Sequence, residues 1–168
     1  MDRKYWFLFR DGAILLRKRY GRYEVPESSE PPFEIEGTVH VIAMKEDISY
    51  MAVTLRSVIE ESEDYVMIGL RESYDFLPLE LYRIAGKASE ILFWDRNTRF
   101  CPACGTPTEL HTPISKLCPS CGKELFPQVS PAILVMVKKE DKILLVHARN
   151  FKRPFKSLVA GFVETGES

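Results

Sequence analysis

The stretch that most restricts this chain runs from Phe100 to Gly122. Cys101 and Cys104 lie two residues apart, and Cys118 and Cys121 repeat that spacing after thirteen intervening residues. Each pair sits in a near-identical pentapeptide, Cys-Pro-Ala-Cys-Gly at 101–105 and Cys-Pro-Ser-Cys-Gly at 118–122. Two tight turns, each offering two sulfurs and joined by a short β-like excursion, can aim four thiolates at one tetrahedral ion. Proline fixes the backbone inside each turn, and the glycine admits the positive φ that turns amide N–H groups toward sulfur. The spacing predicts a zinc ribbon holding structural zinc on Cys101, Cys104, Cys118 and Cys121. The competing readings are two redox Cys-x-x-Cys motifs, structural disulfides, or a rubredoxin-like iron site. All four cysteines of the chain fall in this stretch, and Met1-Asp2-Arg3-Lys4 does not read as a signal peptide, which argues against extracellular disulfides and for a reducing cytoplasm. A site closed by four thiolates leaves no position for water, so its metal holds structure and chemistry must be sought elsewhere.

At 168 residues the length allows one ordinary domain, or two small ones plus a metal module. Its 23 basic and 24 acidic side chains give a net charge of −1, which supplies no global attraction to nucleic acid or to a membrane. Basic clusters at Arg17–Arg19 and Lys152–Arg153 read as solvated surface. No apolar run approaches a membrane span.

Before the ribbon, Asp11-Gly12 between apolar runs at 5–10 and 13–16 predicts a two-residue hairpin. The proline-rich stretch 21–32 predicts a loop. Thr38 to Met44 alternates as a strand with Val39, Val41 and Ala43 on one face. Lys45-Glu46-Asp47 turns into a strand at 48–53, and another follows at 65–70. Pro78 opens a helix on which Leu81, Ile84, Ala85, Ala88, Ile91 and Leu92 recur at helical spacing, with Trp94 packed near its end. Gly86 inside that helix implies close packing. After the ribbon, Phe126-Pro127-Gln128-Val129-Ser130-Pro131 forms a stiff extended connector. Ala132 to Val137 then reads as a buried strand, with further strands at 143–146 and 157–160 around a basic, aromatic loop at 151–155.

Residues 160–167 read Ala160-Gly161-Phe162-Val163-Glu164-Thr165-Gly166-Glu167. Gly161 and Glu167 hold the spacing that begins a Nudix box. A four-cysteine ribbon, Phe-Pro-Gln-Val-Ser-Pro into an apolar strand, and then this stretch together resemble the NADH pyrophosphatase branch of the Nudix hydrolases. The segment from Arg83-Ile84-Ala85-Gly86 through Cys101-Pro102-Ala103-Cys104-Gly105 resembles that family's entry into its ribbon. The resemblance implies an α+β fold in three parts: an N-terminal Nudix-like domain over 1–98, the zinc ribbon over 99–126, and over 127–168 the first strands of an incomplete Nudix α/β/α domain. It implies metal-dependent cleavage of the pyrophosphate of NADH or NAD⁺ to nicotinamide mononucleotide and AMP, removal of NAD caps from RNA, a catalytic Mg²⁺ or Mn²⁺, and a homodimer.

Residue by residue, the same resemblance gives Ala160 a backbone carbonyl toward the catalytic metal and gives Glu167 the ordering of the loop that opens the box. Phe126 falls where the family carries a substrate-contacting tyrosine, keeping the ring and losing the hydroxyl, and Arg71 falls near a substrate-touching arginine. His147 and Arg149 follow a strand and could face phosphate, but isolated polar residues of this kind usually lie on the surface. The rest of the box, Arg-Glu-x-x-Glu-Glu in the family, is not among these residues. The resemblance therefore places the catalytic glutamates beyond Ser168 and makes this stretch, taken alone, the inactive N-terminal portion of a longer enzyme. The alternative is a zinc-ribbon module that binds nucleic acid or a protein, with His111, Lys116 and Lys123 as its polar surface. The ribbon lacks the interleaving of basic and aromatic residues that a strand-binding platform needs.

Overall fold

A computed structural model describes residues 3–147, 149 and 154–167. The chain divides into two compact units, Met1–Pro127 and Gln128–Ser168. The first begins with strand β1 (Arg3–Arg10), which turns at Asp11-Gly12 into β2 (Ala13–Arg19). Both turn residues have positive φ, 50° and 79°, so the predicted hairpin forms through the turn geometry that matches strand twist. A second turn of the same kind at Tyr20-Gly21 leads into β3 (Arg22–Glu24), so the stretch predicted as loop from 21 begins with a short strand. Tyrosine in place of Asn or Asp hides that turn from sequence. The chain continues through β4 (Ile35–Lys45), β5 (Ile48–Leu55) and β6 (Tyr65–Gly69). The strands lie in the order β3-β2-β1-β5-β4, with β6 on the other edge of β2. All described pairs in this sheet are antiparallel except β1 with β5, which run parallel from Arg3↔Ile48 to Phe9↔Thr54.

β1 is buried on both faces, which explains its unbroken aromatic and aliphatic character. Phe7 and Phe9 join Ile14, Leu16 and Ala52 beneath a long helix, while Trp6 and Leu8 join Leu15, Val53 and Leu55 on the opposite face. That helix, α1 (Leu79–Asn97), starts one residue after Pro78, which needs no N–H there, and buries Ala85, Ala88, Ile91 and Trp94. Leu81, Ile84 and Leu92 pack around them, as the spacing predicts. Gly86 departs from expectation. A Cβ built there meets no atom within 4 Å, so no close neighbour requires glycine.

β4 departs further. Its buried residues are His40 and Ile42, whereas Val39 and Val41 are exposed. Register shifts between Glu36 and His40 and between Val41 and Ala43 break the two-residue period, and Gly37 takes φ 78° at the first. Each irregularity resets which face a side chain takes, so Ala43 joins the core while the two valines do not.

The ribbon completes the first unit with β7 (Glu109–Thr112), β8 (Ser115–Leu117) and β9 (Glu124–Leu125) in one antiparallel sheet. In the second unit β10 (Ala132–Val135) pairs with β13 (Val159–Phe162), and β11 (Lys138–Lys139) with β12 (Lys142–Ile143). The predicted strand at 143–146 is reduced to the end of β12 and an isolated bridge from Val146 to Ser157. The run at 132–137 is not buried. Leu134 is 68 % exposed, and Ile133 and Val135 are exposed too, because a pair of two-stranded sheets offers no second layer to cover them. The Lys152–Arg153 cluster and most of the 151–155 loop lie outside the described residues.

Candidate metal centre

The two cysteine turns are built alike. In the first, the Cys101 amide donates to the Thr106 carbonyl (2.8 Å) and the Gly105 amide to the Cys101 carbonyl (2.9 Å). In the second, Cys118 donates to Lys123 (2.9 Å) and Gly122 to Cys118 (3.0 Å). Gly105 and Gly122 have φ of 75° and 73°, the left-handed region in which a Cβ is strained. The Ala103 amide points at the Cys101 sulfur, 3.4 Å away. β7 and β8 carry the chain from one turn to the other. Thr112 and Ser115 share a hydrogen bond of 2.7 Å across the tip.

These turns bring the four Sγ atoms within 4.8 Å of one another, with Cys101 to Cys121 at 3.6 Å and Cys104 to Cys118 at 3.4 Å. Four sulfurs about 2.3 Å from a tetrahedral zinc stand about 3.8 Å apart, so the thiols fit that ion. No disulfide joins them. Thr106, through its side chain and then its backbone, holds the Cys104 thiol down at about 6. At Cys121 the Lys123 amide acts in the same sense, but the sulfurs of Cys118, Cys101 and Cys104 outweigh it and push the thiol up to about 12. Acids this close cannot all ionise independently, and a bound dication removes the conflict. Among the described residues, this is the one converging group of three or more His, Cys, Asp or Glu side chains.

The ribbon is anchored to α1 by a buried polar cluster that the sequence does not announce. The Lys116 ammonium lies 2.6 Å from Asp95 Oδ1, donates to the Asp95 carbonyl at 2.7 Å, and stands 5.6 Å from the centre of the Trp94 ring. His40 of β4 approaches the other carboxylate oxygen at 3.3 Å, off the line of a good hydrogen bond. Lys116 is 5 % exposed and His40 4 %, so Lys116 does not supply the polar ribbon surface expected of it. His111 and Lys123 remain exposed. His40, and to a lesser degree Lys116, hold the Asp95 carboxyl below the usual carboxylate range against the opposing effect of burial. One signal was available: Asp95 stands on the same helical stripe as Ala88 and Ile91, an acid at a core-facing position.

The remaining candidates are not gathered into a site. Arg71 is exposed just before a 3₁₀ turn at Glu72–Asp75, and Phe126 is 52 % exposed after β9. No hydrogen bond, ion pair or ring contact joins the two among the described residues. In the second unit, Ala160 pairs with Leu134 in the β10–β13 ladder, and Gly161 with Ile133. Glu167 accepts a hydrogen bond from the Glu164 amide at 2.8 Å and so closes the turn in which Gly166 takes φ 93°. His147 Nδ1 lies 2.9 Å from the Phe155 carbonyl, and Arg149 is exposed. No helix among the described residues is long and apolar enough to cross a membrane.

Comparison with known families places a NADH pyrophosphatase-like rudimentary NUDIX domain over residues 3–94 and a NADH pyrophosphatase zinc ribbon domain over 96–126. The chain is similar to proteins named NAD-capped RNA hydrolase NudC. It is 36 % identical over 101 residues to that of Stutzerimonas stutzeri, covering 60 % of this chain and 37 % of the relative. It is 41 % identical over 85 residues to that of Pseudomonas aeruginosa, covering 49 % and 30 %. The Deinococcus radiodurans protein is 34 % identical over 107 residues, covering 61 % and 38 %. The chain thus spans only 30 to 38 % of the length of these curated relatives.

Proposed function

The chain belongs to the NADH pyrophosphatase family of Nudix proteins, and from that premise we propose that it serves a metal-dependent hydrolase acting on the pyrophosphate of NADH or NAD⁺ and on NAD caps of RNA. The observation that carries this reading is the succession of a rudimentary Nudix domain and a four-cysteine ribbon that both match NADH pyrophosphatase models, in a chain similar to proteins named NAD-capped RNA hydrolase. Cys101, Cys104, Cys118 and Cys121 hold one structural zinc, which ties the two cysteine turns of the ribbon together. Residues 127–168 begin the catalytic Nudix domain. There Ala160 offers a backbone carbonyl to a divalent ion, and Glu167 orders the turn leading out of Gly161. Phe126 and Arg71 contribute ring stacking and charge to the dinucleotide, and the protein acts as a homodimer.

Bound Mg²⁺ or Mn²⁺ would offset the diphosphate charge and activate water, and oxygen ligands suit both ions. The described residues bring together no group of carboxylates for such an ion, so no catalytic step is assigned to them. Their part is structural and positional. Activity requires the remaining glutamates of the box in addition.

The test is a chromatographic assay with NADH and either ion, comparing the 168-residue chain with a protein that continues through Arg-Glu-x-x-Glu-Glu. The longer protein is expected to yield nicotinamide mononucleotide and AMP and to release NAD from capped RNA, and the shorter to do neither. Intact NADH in every reaction of the longer protein would remove the reading.

A further inference from the structure

The outer face of α1 carries a pattern that the described residues of its own chain leave unused. Leu79, Arg83, Gly86, Glu90 and Phe93 recur at alternating intervals of four and three, which lines them up in one stripe along the helix. The stripe is turned to solvent: Leu79 is 51 % exposed and Phe93 56 %, and Arg83 and Glu90 are exposed as well. Neighbouring charges on α1 have partners in the chain. Glu80 is held by Lys45, and Lys87 donates to the Ile42 carbonyl at 2.8 Å. Arg83 and Glu90 form no ion pair or side-chain hydrogen bond among the described residues. Gly86 stands midway between them. Glycine weakens a helix interior, and the space beside this one is open to 4 Å, so its own chain gains nothing from the missing side chain.

The order apolar, positive, glycine, negative, apolar is complementary to its own reverse. A second copy of α1 laid antiparallel across the stripe, on a two-fold axis at Gly86, sets Leu79 of each copy against Phe93 of the other. It also brings Arg83 of each copy beside Glu90 of the other, since these lie three residues before and four after the axis. Every contact is then made twice, as a two-fold interface demands. A parallel arrangement would instead face arginine with arginine and glutamate with glutamate. Glycine at the crossing point lets the two backbones approach, the close packing that the sequence implies and that the chain by itself does not provide. We infer that the outer face of α1 is a self-association surface, covered by α1 of a second copy running the opposite way. The inference rests on the homodimer of the reading above and gives it a location. The stripe is about 21 Å long, so a contact confined to it is smaller than a standard interface and its Kd falls at about micromolar.

Sedimentation equilibrium of the zinc-loaded 168-residue chain measures that Kd. R83E and E90R each change an exposed side chain and turn two attractive pairs of the dimer into repulsive ones. Either alone is expected to weaken self-association about 10- to 100-fold. An equimolar mixture of R83E and E90R is expected to form a dimer of one of each with the parental affinity, because every facing pair is again of opposite charge. The double variant R83E/E90R is expected to recover the parental dimer for the same reason; within one chain the two positions lie seven residues apart and do not pair. G86L finds open space in its own chain but holds two helices apart, and is expected to weaken association about 5- to 150-fold. A parent that stays monomeric overturns both this surface and the homodimer. A parent dimer left unchanged by R83E, E90R and G86L, or not restored by the mixture and the double variant, overturns the surface alone and leaves the homodimer standing.

Discussion

Removing the Asp95 carboxylate should show how firmly the ribbon is tied to the domain that precedes it. In Asp95→Ala the Lys116 ammonium, 5 % exposed, loses its counter-ion and keeps only the Asp95 carbonyl, the more distant Thr98 carbonyl at 3.5 Å and the Trp94 ring. Breaking one side of a buried pair costs about 3–5 kcal/mol. The lower end applies here, because the Asp95 side chain is 22 % exposed and alanine is the better helix former. For a unit running from Met1 to Pro127, an unfolding entropy of about 2.1 cal/mol/K per residue turns about 3 kcal/mol into a Tm lower by about 11 °C. Thermal melts followed by circular dichroism on the zinc-loaded protein measure it. A second variant sharpens the argument. D95A/K116M removes the stranded charge as well and should recover about half of the loss, since apolar replacement of a buried pair is often near neutral. A Tm for D95A within about 3 °C of the parent, or a double variant less stable than D95A, would refute the assignment of these groups as an anchor.

The same carboxyl gives a pH signature. Because its folded value is lowered, the unfolded chain takes up the proton first; the contribution is complete above the ordinary carboxylate value of about 4 and disappears as pH falls through the folded value. The Tm gap between parent and D95A should therefore narrow from about pH 5 toward about pH 3, and a gap that widened on acidification would contradict the sign. Gly86→Ala, with open space at the new Cβ and no positive φ, should raise stability by up to about 1 kcal/mol, read as a higher urea midpoint. Gly12→Ala faces equally open space but a φ of 79°, and should lower stability by about 1–2 kcal/mol, read as a lower urea midpoint. Elemental analysis should find one zinc per chain, and Cys104→Ala should abolish it and melt the ribbon; iron in its place would reinstate the electron-transfer alternative.

What could be read in the sequence was whatever depends on neighbours close along the chain. The cysteine turns, the Asp11-Gly12 hairpin and the apolar stripe of α1 are local patterns, and each forms where its pattern lies. The face of β4 was lost because two bulges reset its alternation, and only Gly37 hints at the first of them. Lys116 looked like surface because its partners come from α1, 21 positions earlier for Asp95, and no local pattern signals such a pairing. The run at 132–137 has the composition of a buried strand, yet burial depends on a covering layer, and composition alone cannot provide one.

The parallel pairing of β1 with β5 also dictates the order in which the first domain can assemble. Arg3 meets Ile48 and Phe9 meets Thr54, each partner 45 positions along the chain. As the chain leaves the ribosome, the β1–β2 hairpin can close almost at once, but the other edge of β1 has no partner until Leu55 is out. Until then its apolar backbone edge is open to pairing with another chain. Closing so long a loop is entropically expensive, and sheets with distant partners fold slowly. A strand buried on both faces is thus among the first to be synthesised and among the last to be fully enclosed.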